Sequence, residues 1–141
     1  MALKITLKPH ERMILGGAVI TNGSSKSKLI IENNVPILRQ KDILNEKEAD
    51  SPSRRIYFVI QLMYVDPDNL ITHHNTYWKL IQGLVEAVPS PRVLSLIDQI
   101  SSHILGNRYY QALKLARQLI DYEEETLKNV RQSTANLQKR K

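Results

Sequence analysis

Leu3, Ile5 and Leu7 alternate with Lys4, Thr6 and Lys8 at the start of the chain. A period of two belongs to an extended strand, whose successive side chains point to opposite faces. It predicts one aliphatic face for a core and one face of fixed positive charge. Pro9-His10-Glu11 reads as a turn, and Arg12 to Thr21 as a second strand interrupted by Gly16-Gly17. Paired glycines inside a strand suggest a bulge, a sharp bend or close backbone approach. Asn22-Gly23 is a strong hairpin signal, which Ser24 and Ser25 can lengthen. Lys28 to Glu32 gives a third strand, Asn33-Asn34 a turn, and Val35 to Gln40 a fourth strand whose Pro36 favours an edge. Lys41 to Leu44 extends that strand or begins another. Together these predict a meander or a small barrel-like sheet.

The period changes after a polar, turn-rich stretch from Asn45 to Ser53. Ser51 can cap a helix, and Pro52 is preorganised for its first position. Residues 56–65 fit both helical spacing and strand alternation, and the Ser-Pro start favours the helix. Asp66-Pro67-Asp68-Asn69 breaks the chain, and a helix from about Leu70 to Val88 follows. Ser90-Pro91 opens a third helix burying Val93, Ile97, Ile100 and Ile104, with Gly106-Asn107 as its stop. A long fourth helix starts near Arg108 and carries Tyr109, Leu113, Ala116, Ile120, Leu127 and Val130 at mostly three- and four-residue spacings. The expected class is α+β: a small antiparallel β module of four to five strands, then a bundle of three to four helices. The expected division is a basic β-rich module over 1–45, a linker over 46–54, a helical segment over 55–132 and a flexible basic tail over 133–141.

Charge bears on partners. The net charge is +6, and its surplus sits at the two ends, since residues 56–106 carry two Lys/Arg against four Asp/Glu. A basic balance points to an anionic partner, nucleic acid being the commonest. The chain has no cysteine, which excludes disulfides, cysteine–zinc sites and a thiol nucleophile. Lys4 and Lys8 interrupt the first apolar residues, so no signal peptide is read. The longest apolar run, Ile56 to Val65, is about half the ~20 residues that span a bilayer. A cytoplasmic location without a membrane partner is expected.

The case for catalysis is thin. His73 and His74 are adjacent, so on a helix they point about 100° apart and do not share a metal easily. Gly16-Gly17 lacks the lysine and hydroxyl residue of a phosphate loop. Glu123-Glu124-Glu125 fans around a helix as a solvated face, with Lys128 in reach of pairing. No nucleophile–histidine–acid signature appears, and no cofactor is expected. A basic strand face, by contrast, can hold phosphates while polar groups read unpaired bases. The candidate RNA contacts are Lys4, Thr6, Lys8, Arg12, Lys26, Lys28, Arg39 and Lys41, with Arg54 and Arg55 at the module boundary. The aromatics all fall in the helical half, so the β module lacks the stacking platform of common single-strand binders. Tyr109, Tyr110, Leu113 and Arg117 are the candidate residues for a protein partner.

The order of motifs adds a resemblance. Leu3 to Pro9 followed by Gly17-Ala18-Val19-Ile20-Thr21-Asn22-Gly23 resembles the start of the flagellum biosynthesis repressor family FlbT. Leu38-Arg39-Gln40-Lys41-Asp42-Ile43 is similar to that family's Leu-Arg-Glu-Lys-Asp-Ile segment, with Gln40 in place of the acid. Ser51 to Phe58, Met63-Tyr64-Val65-Asp66 and Tyr109 to Glu123 resemble its later blocks. The likeness covers residues 2 to about 127, and 128–141 look like an extension.

The resemblance implies a non-enzymatic, post-transcriptional regulator of flagellin synthesis. It would bind the 5′ untranslated leader of flagellin mRNA and promote its degradation, with the flagellar protein FlaF acting oppositely. In some members the effect is activating, so the direction stays open. The rival expectation is an adaptor that binds FlaF or flagellin through its helical half and leaves RNA alone. Homo-oligomerisation is compatible with either.

Overall fold

A computed structural model describes residues 2–139, with side chains through residue 135. Five strands come first: β1 (Leu3–Leu7), β2 (Arg12–Leu15), β3 (Ala18–Thr21), β4 (Ser27–Ile31) and β5 (Ile37–Arg39). Four α-helices follow: α1 (Pro52–Val65), α2 (Leu70–Ala87), α3 (Pro91–Leu105) and α4 (Tyr109–Lys139). Short 3-10 turns occupy Gln40–Asp42, Glu46–Glu48 and Pro67–Asn69. The α+β class and its order are those expected. The tail expected over 133–141 is described only in part: α4 continues to Lys139, and Arg140 and Lys141 lie outside the described residues.

The strands do not form a meander. They make two antiparallel sheets, a β1–β4 ribbon and a three-stranded β3–β2–β5 sheet. Two turn expectations change with this. Gly16-Gly17 is neither bulge nor bend but the two-residue turn of the β2–β3 hairpin, closing on the Leu15–Ala18 pair. Positive φ falls on the first glycine alone, Gly16 at +59°, the pattern of a II′ turn. Asn22-Gly23 is not a hairpin turn, because β3 and β4 lie in different sheets. The Asn22 amide instead donates to the carbonyls of Lys8 (2.8 Å) and Ser25 (3.0 Å) and accepts from the Ser27 hydroxyl at 2.9 Å. Asn22 is thus a corner post where the chain leaves one sheet for the other.

The layers follow from burial. Ile5, Leu7 and Ile31 of the ribbon close over Met13 of β2 in a small inter-sheet core. Ile14 and Leu38, paired across β2 and β5, face the other way into the main core with the helices. Strands β2 and β5 are therefore covered on both faces, while Val19 of the edge strand β3 stays 61% exposed. Leu3, expected inside, is half exposed at the ribbon's end.

Residues 56–65 are helical. Ser51 accepts from the Arg54 amide at 3.3 Å, and Glu123 of α4 accepts from the Ser53 amide at 3.1 Å. A carboxylate there also complements the positive end of the helix dipole. Glu124 pairs with Arg54, so two of the three consecutive glutamates hold the start of α1 rather than forming only a solvated face. α1 packs on both α2 and α4, and α3 on α4. Burying α1 on several sides explains why its sequence is apolar at both periods. His73 bonds Asp66 at 3.0 Å while His74 faces the Tyr109 hydroxyl at 3.2 Å, so the adjacent histidines serve different neighbours.

Three polar side chains of α1 fasten the end of the β module. Gln61, buried, donates to the Leu44 carbonyl at 2.9 Å and accepts from the Leu44 amide at 2.8 Å. The Tyr57 hydroxyl donates to the Asp42 carbonyl at 2.5 Å, and the Tyr64 hydroxyl accepts from the Ile37 amide at 3.2 Å.

Candidate nucleic-acid interface

The ribbon gives the first basic surface. Its register opposes Lys4 to Ile30 and Thr6 to Lys28. Directly opposed residues share a face, so all four project to the outside, where all four are exposed. Lys8 and Lys26 stand just past the last pair, Leu7–Ser27, and are exposed too. One face therefore gathers Lys4, Thr6, Lys8, Lys26 and Lys28.

Beside Lys8 opens a groove of about 800 Å³ lined by Lys8, Pro9, His10, Glu11, Arg39, Gln40 and Lys41. Its shape is set by an ion pair. Glu11 accepts from the Lys8 amide at 2.9 Å and from the Arg39 guanidinium at 3.0 Å. The Lys8 amide first, and Arg39 second, hold the Glu11 carboxyl below its ordinary 4.5. Arg39 also donates to the Thr6 carbonyl at 3.0 Å, tying β5 to β1. Gln40 accepts from the Arg12 amide at 2.6 Å. Arg39 is thus committed to the groove wall. Lys8, His10 and Lys41 form no ion pair among the described residues.

Lys41 also borders a second cleft of about 290 Å³, shared with Leu38, Asp42, Tyr57, Tyr110, Leu113, Lys114 and Arg117. Lys114 sits 4.7 Å from the Tyr110 ring centre and Arg117 4.8 Å from that of Tyr57. Burial raises the Tyr57 hydroxyl pKa, with Arg117 pulling against it.

The remaining candidates lie apart. Arg12, two positions from Ile14 and so on the same helix-facing side of its sheet, lies beside Gln40, Ile43, Asn45 and Glu48. Arg54 is engaged by Asp50 and Glu124. Arg55 lines an apolar hollow with Phe58, Leu62 and His73. On α4, Leu113 is buried, and Tyr109 bonds Asn107 at 3.2 Å as well as facing His74. Tyr110, partly exposed, meets Tyr64 at 5.9 Å between ring centres. Sequence reasoning missed His10 and Lys114. The signal for Lys114 was available: with Tyr110 and Arg117 it follows spacings of four and three, one face of a helix.

Among the described residues, no three His, Asp or Glu side chains gather as a metal site. Among the described residues, no helix is long and apolar enough to cross a membrane.

The chain matches the family described as Flagellar protein FlbT over residues 3–127. It is 49% identical over 125 residues to a probable flagellum biosynthesis repressor protein FlbT 1 of Bradyrhizobium diazoefficiens, covering 88% of this chain and 84% of the relative. A probable flagellum biosynthesis repressor of Caulobacter sp. is 38% identical over 130 residues, 92% of this chain and 99% of the relative. The flagellum biosynthesis repressor protein FlbT of Caulobacter vibrioides is 37% identical over 130 residues, 92% of each chain. No solved structure matches the chain.

Proposed function

This chain belongs to the FlbT family of flagellar proteins, and we propose that it regulates flagellin synthesis by binding the 5′ leader of flagellin mRNA. Its relatives are named flagellum biosynthesis repressors, which supports a role in restraining flagellum biosynthesis. The observation that carries the RNA reading is the groove, in which Lys8, His10 and Lys41 form no ion pair among the described residues and stand beside the lysine-bearing ribbon face. Lysines on a rigid ribbon hold phosphates without reading sequence. Selectivity then comes from the leader's folded shape and from backbone and polar groups along the groove. The protein presents or blocks the messenger in the cytoplasm, and decay is left to a host nuclease. No catalytic step is assigned to the chain.

The test is a titration of purified protein against a flagellin leader and a scrambled RNA of equal length at two salt concentrations. The expected result is leader-selective binding whose log affinity falls with log salt by about 0.7 per phosphate held. Replacing Lys4, Lys8 and Lys28 together with glutamine abolishes it while the thermal melt is unchanged. Equal, weak binding of both RNAs overturns the reading.

A second reading is an adaptor for FlaF or flagellin, and a different observation favours it. Ile71 and Trp78 of α2 and Leu105 of α3 are exposed at 81%, 40% and 70%, and exposed tryptophan is a common anchor of protein interfaces. An apolar interface there barely responds to salt, which separates it from the RNA reading in the same titration.

A further inference from the structure

We infer that the cleft between Lys41–Asp42 and α4 takes a phosphate group of the bound RNA, with Lys41, Lys114 and Arg117 as its ligands. This rests on the RNA reading above and carries the contact surface from the β module onto the last helix.

Charge comes first. Three cations line the cleft against a single carboxylate, Asp42. None of the three is in an ion pair among the described residues. Converging, unneutralised cations repel one another, and an anion between them removes that repulsion. At about 290 Å³ the cleft sits at the low end of the roughly 300–1,000 Å³ of small-ligand pockets. It is large enough for a phosphate and its sugar.

Preorganisation comes second. Lys114 and Arg117 rest over the Tyr110 and Tyr57 rings. Tyr57 is itself buried and bonded to the Asp42 carbonyl. Cations already held on aromatic faces lose less freedom when they bind. The Tyr110 ring is occupied by Lys114 and Tyr64, which favours a phosphate over a stacked base. Continuity comes third. Lys41 borders both this cleft and the groove of Lys8 and His10, so one strand can run from the ribbon to α4 past a shared lysine.

The experiment compares leader binding by the full chain and by K114Q/R117Q across a salt series. The expected result is an affinity about tenfold lower and a salt slope shallower by about 0.7, the share of one phosphate. Lys114 is exposed, so K114Q alone keeps the fold and gives part of the loss. K79Q/R92Q removes two exposed charges on α2 and α3 and leaves affinity and slope unchanged. Wild-type affinity and slope in K114Q/R117Q, with leader binding intact, overturn the cleft while sparing the function. Absence of leader binding in the wild-type chain fails the function first, and the cleft with it. The phosphate source is separated by titrating the wild-type chain with inorganic phosphate and with AMP, following the Arg117 side-chain NH signal. An RNA phosphate predicts no saturation by either. Tight saturation by AMP that displaces the leader makes the cleft a free-nucleotide site and overturns the RNA assignment.

Discussion

β1 of the ribbon alternates apolar with polar residues, whereas β2 of the three-stranded sheet runs Met13-Ile14-Leu15, and the two bury differently. In the ribbon, Ile5 and Leu7 go inside while Lys4 and Thr6 stay in water. In the central strand of the sheet, the neighbours Met13 and Ile14 are both buried, Met13 under the ribbon and Ile14 under the helices. Alternation therefore reports how many faces of a strand are covered: the ribbon keeps one face open and gathers lysines there, while β2 at Met13 and Ile14 is covered on both.

The sharpest way to break this comparison is to truncate neighbours. Met13→Ala and Ile14→Ala are each expected to cost about 2–5 kcal/mol, since each leaves a cavity in a packed core. Lys4→Ala and Thr6→Ala, on the ribbon's open face, stay within about 0.5 kcal/mol. Urea midpoints at constant slope measure all four. A mild Met13→Ala means that the ribbon does not close over the sheet.

The next effect concerns how the sheet is fastened to the helices. Gln61 satisfies both backbone groups of Leu44. Gln61→Leu keeps the volume but orphans an amide and a carbonyl, each worth about 1–3 kcal/mol when buried. The expected loss is about 2–3 kcal/mol by urea denaturation. Phe58→Leu, on the partly exposed side of the same helix, costs about 1 kcal/mol or less. Equal effects would show that the Leu44 groups find water instead.

The element types were legible because each carried a local cause: Ser51-Pro52 for α1, Pro91 for α3, period two for β1. The pairing of the strands was not. Asn22-Gly23 has the sequence of a hairpin turn, but the Asn22 side chain bonds Lys8 and Ser25, and nothing local encodes a bond to residue 8. The same limit applies to the basic residues. Period placed Lys4 and Lys28 on matching faces, but Arg39 looks like any strand arginine until Glu11 and the Thr6 carbonyl come beside it. His10 reached its groove through tertiary packing that spacing alone does not report, whereas Lys114 shares a helix face with Tyr110 and Arg117.

A smaller effect separates the two glycines of the β2–β3 turn. An added Cβ meets nothing within 4 Å at either position, so only backbone conformation distinguishes them. Gly16 has φ +59° and Gly17 does not lie in that region. Gly16→Ala is expected to cost about 1–2 kcal/mol, and Gly17→Ala to be neutral or slightly stabilising. Thermal melts of the two variants side by side decide it. Equal melting temperatures would mean that the turn relaxes to another type without loss.

The smallest effect lies in the clasp that joins the two sheets. Glu11 binds the Lys8 amide and Arg39, and Arg39 binds the Thr6 carbonyl of β1. The Glu11 pKa is lowered in the folded chain, from 4.5. A lowered carboxyl pKa means that the unfolded state binds the proton more readily. The clasp's contribution is therefore complete above 4.5 and is lost as pH falls through the lower folded value. The Lys8 amide proton, which Glu11 accepts, reports this directly: its chemical shift titrates with a midpoint below 4.5. Glu11→Gln removes that titration and speeds hydrogen exchange in the ribbon more than in the sheet, because the ribbon depends on the clasp and the sheet is held by the helices. A midpoint at or above 4.5 would show that Glu11 stands in water, and that the groove walls are set by Arg39 and the Thr6 carbonyl alone.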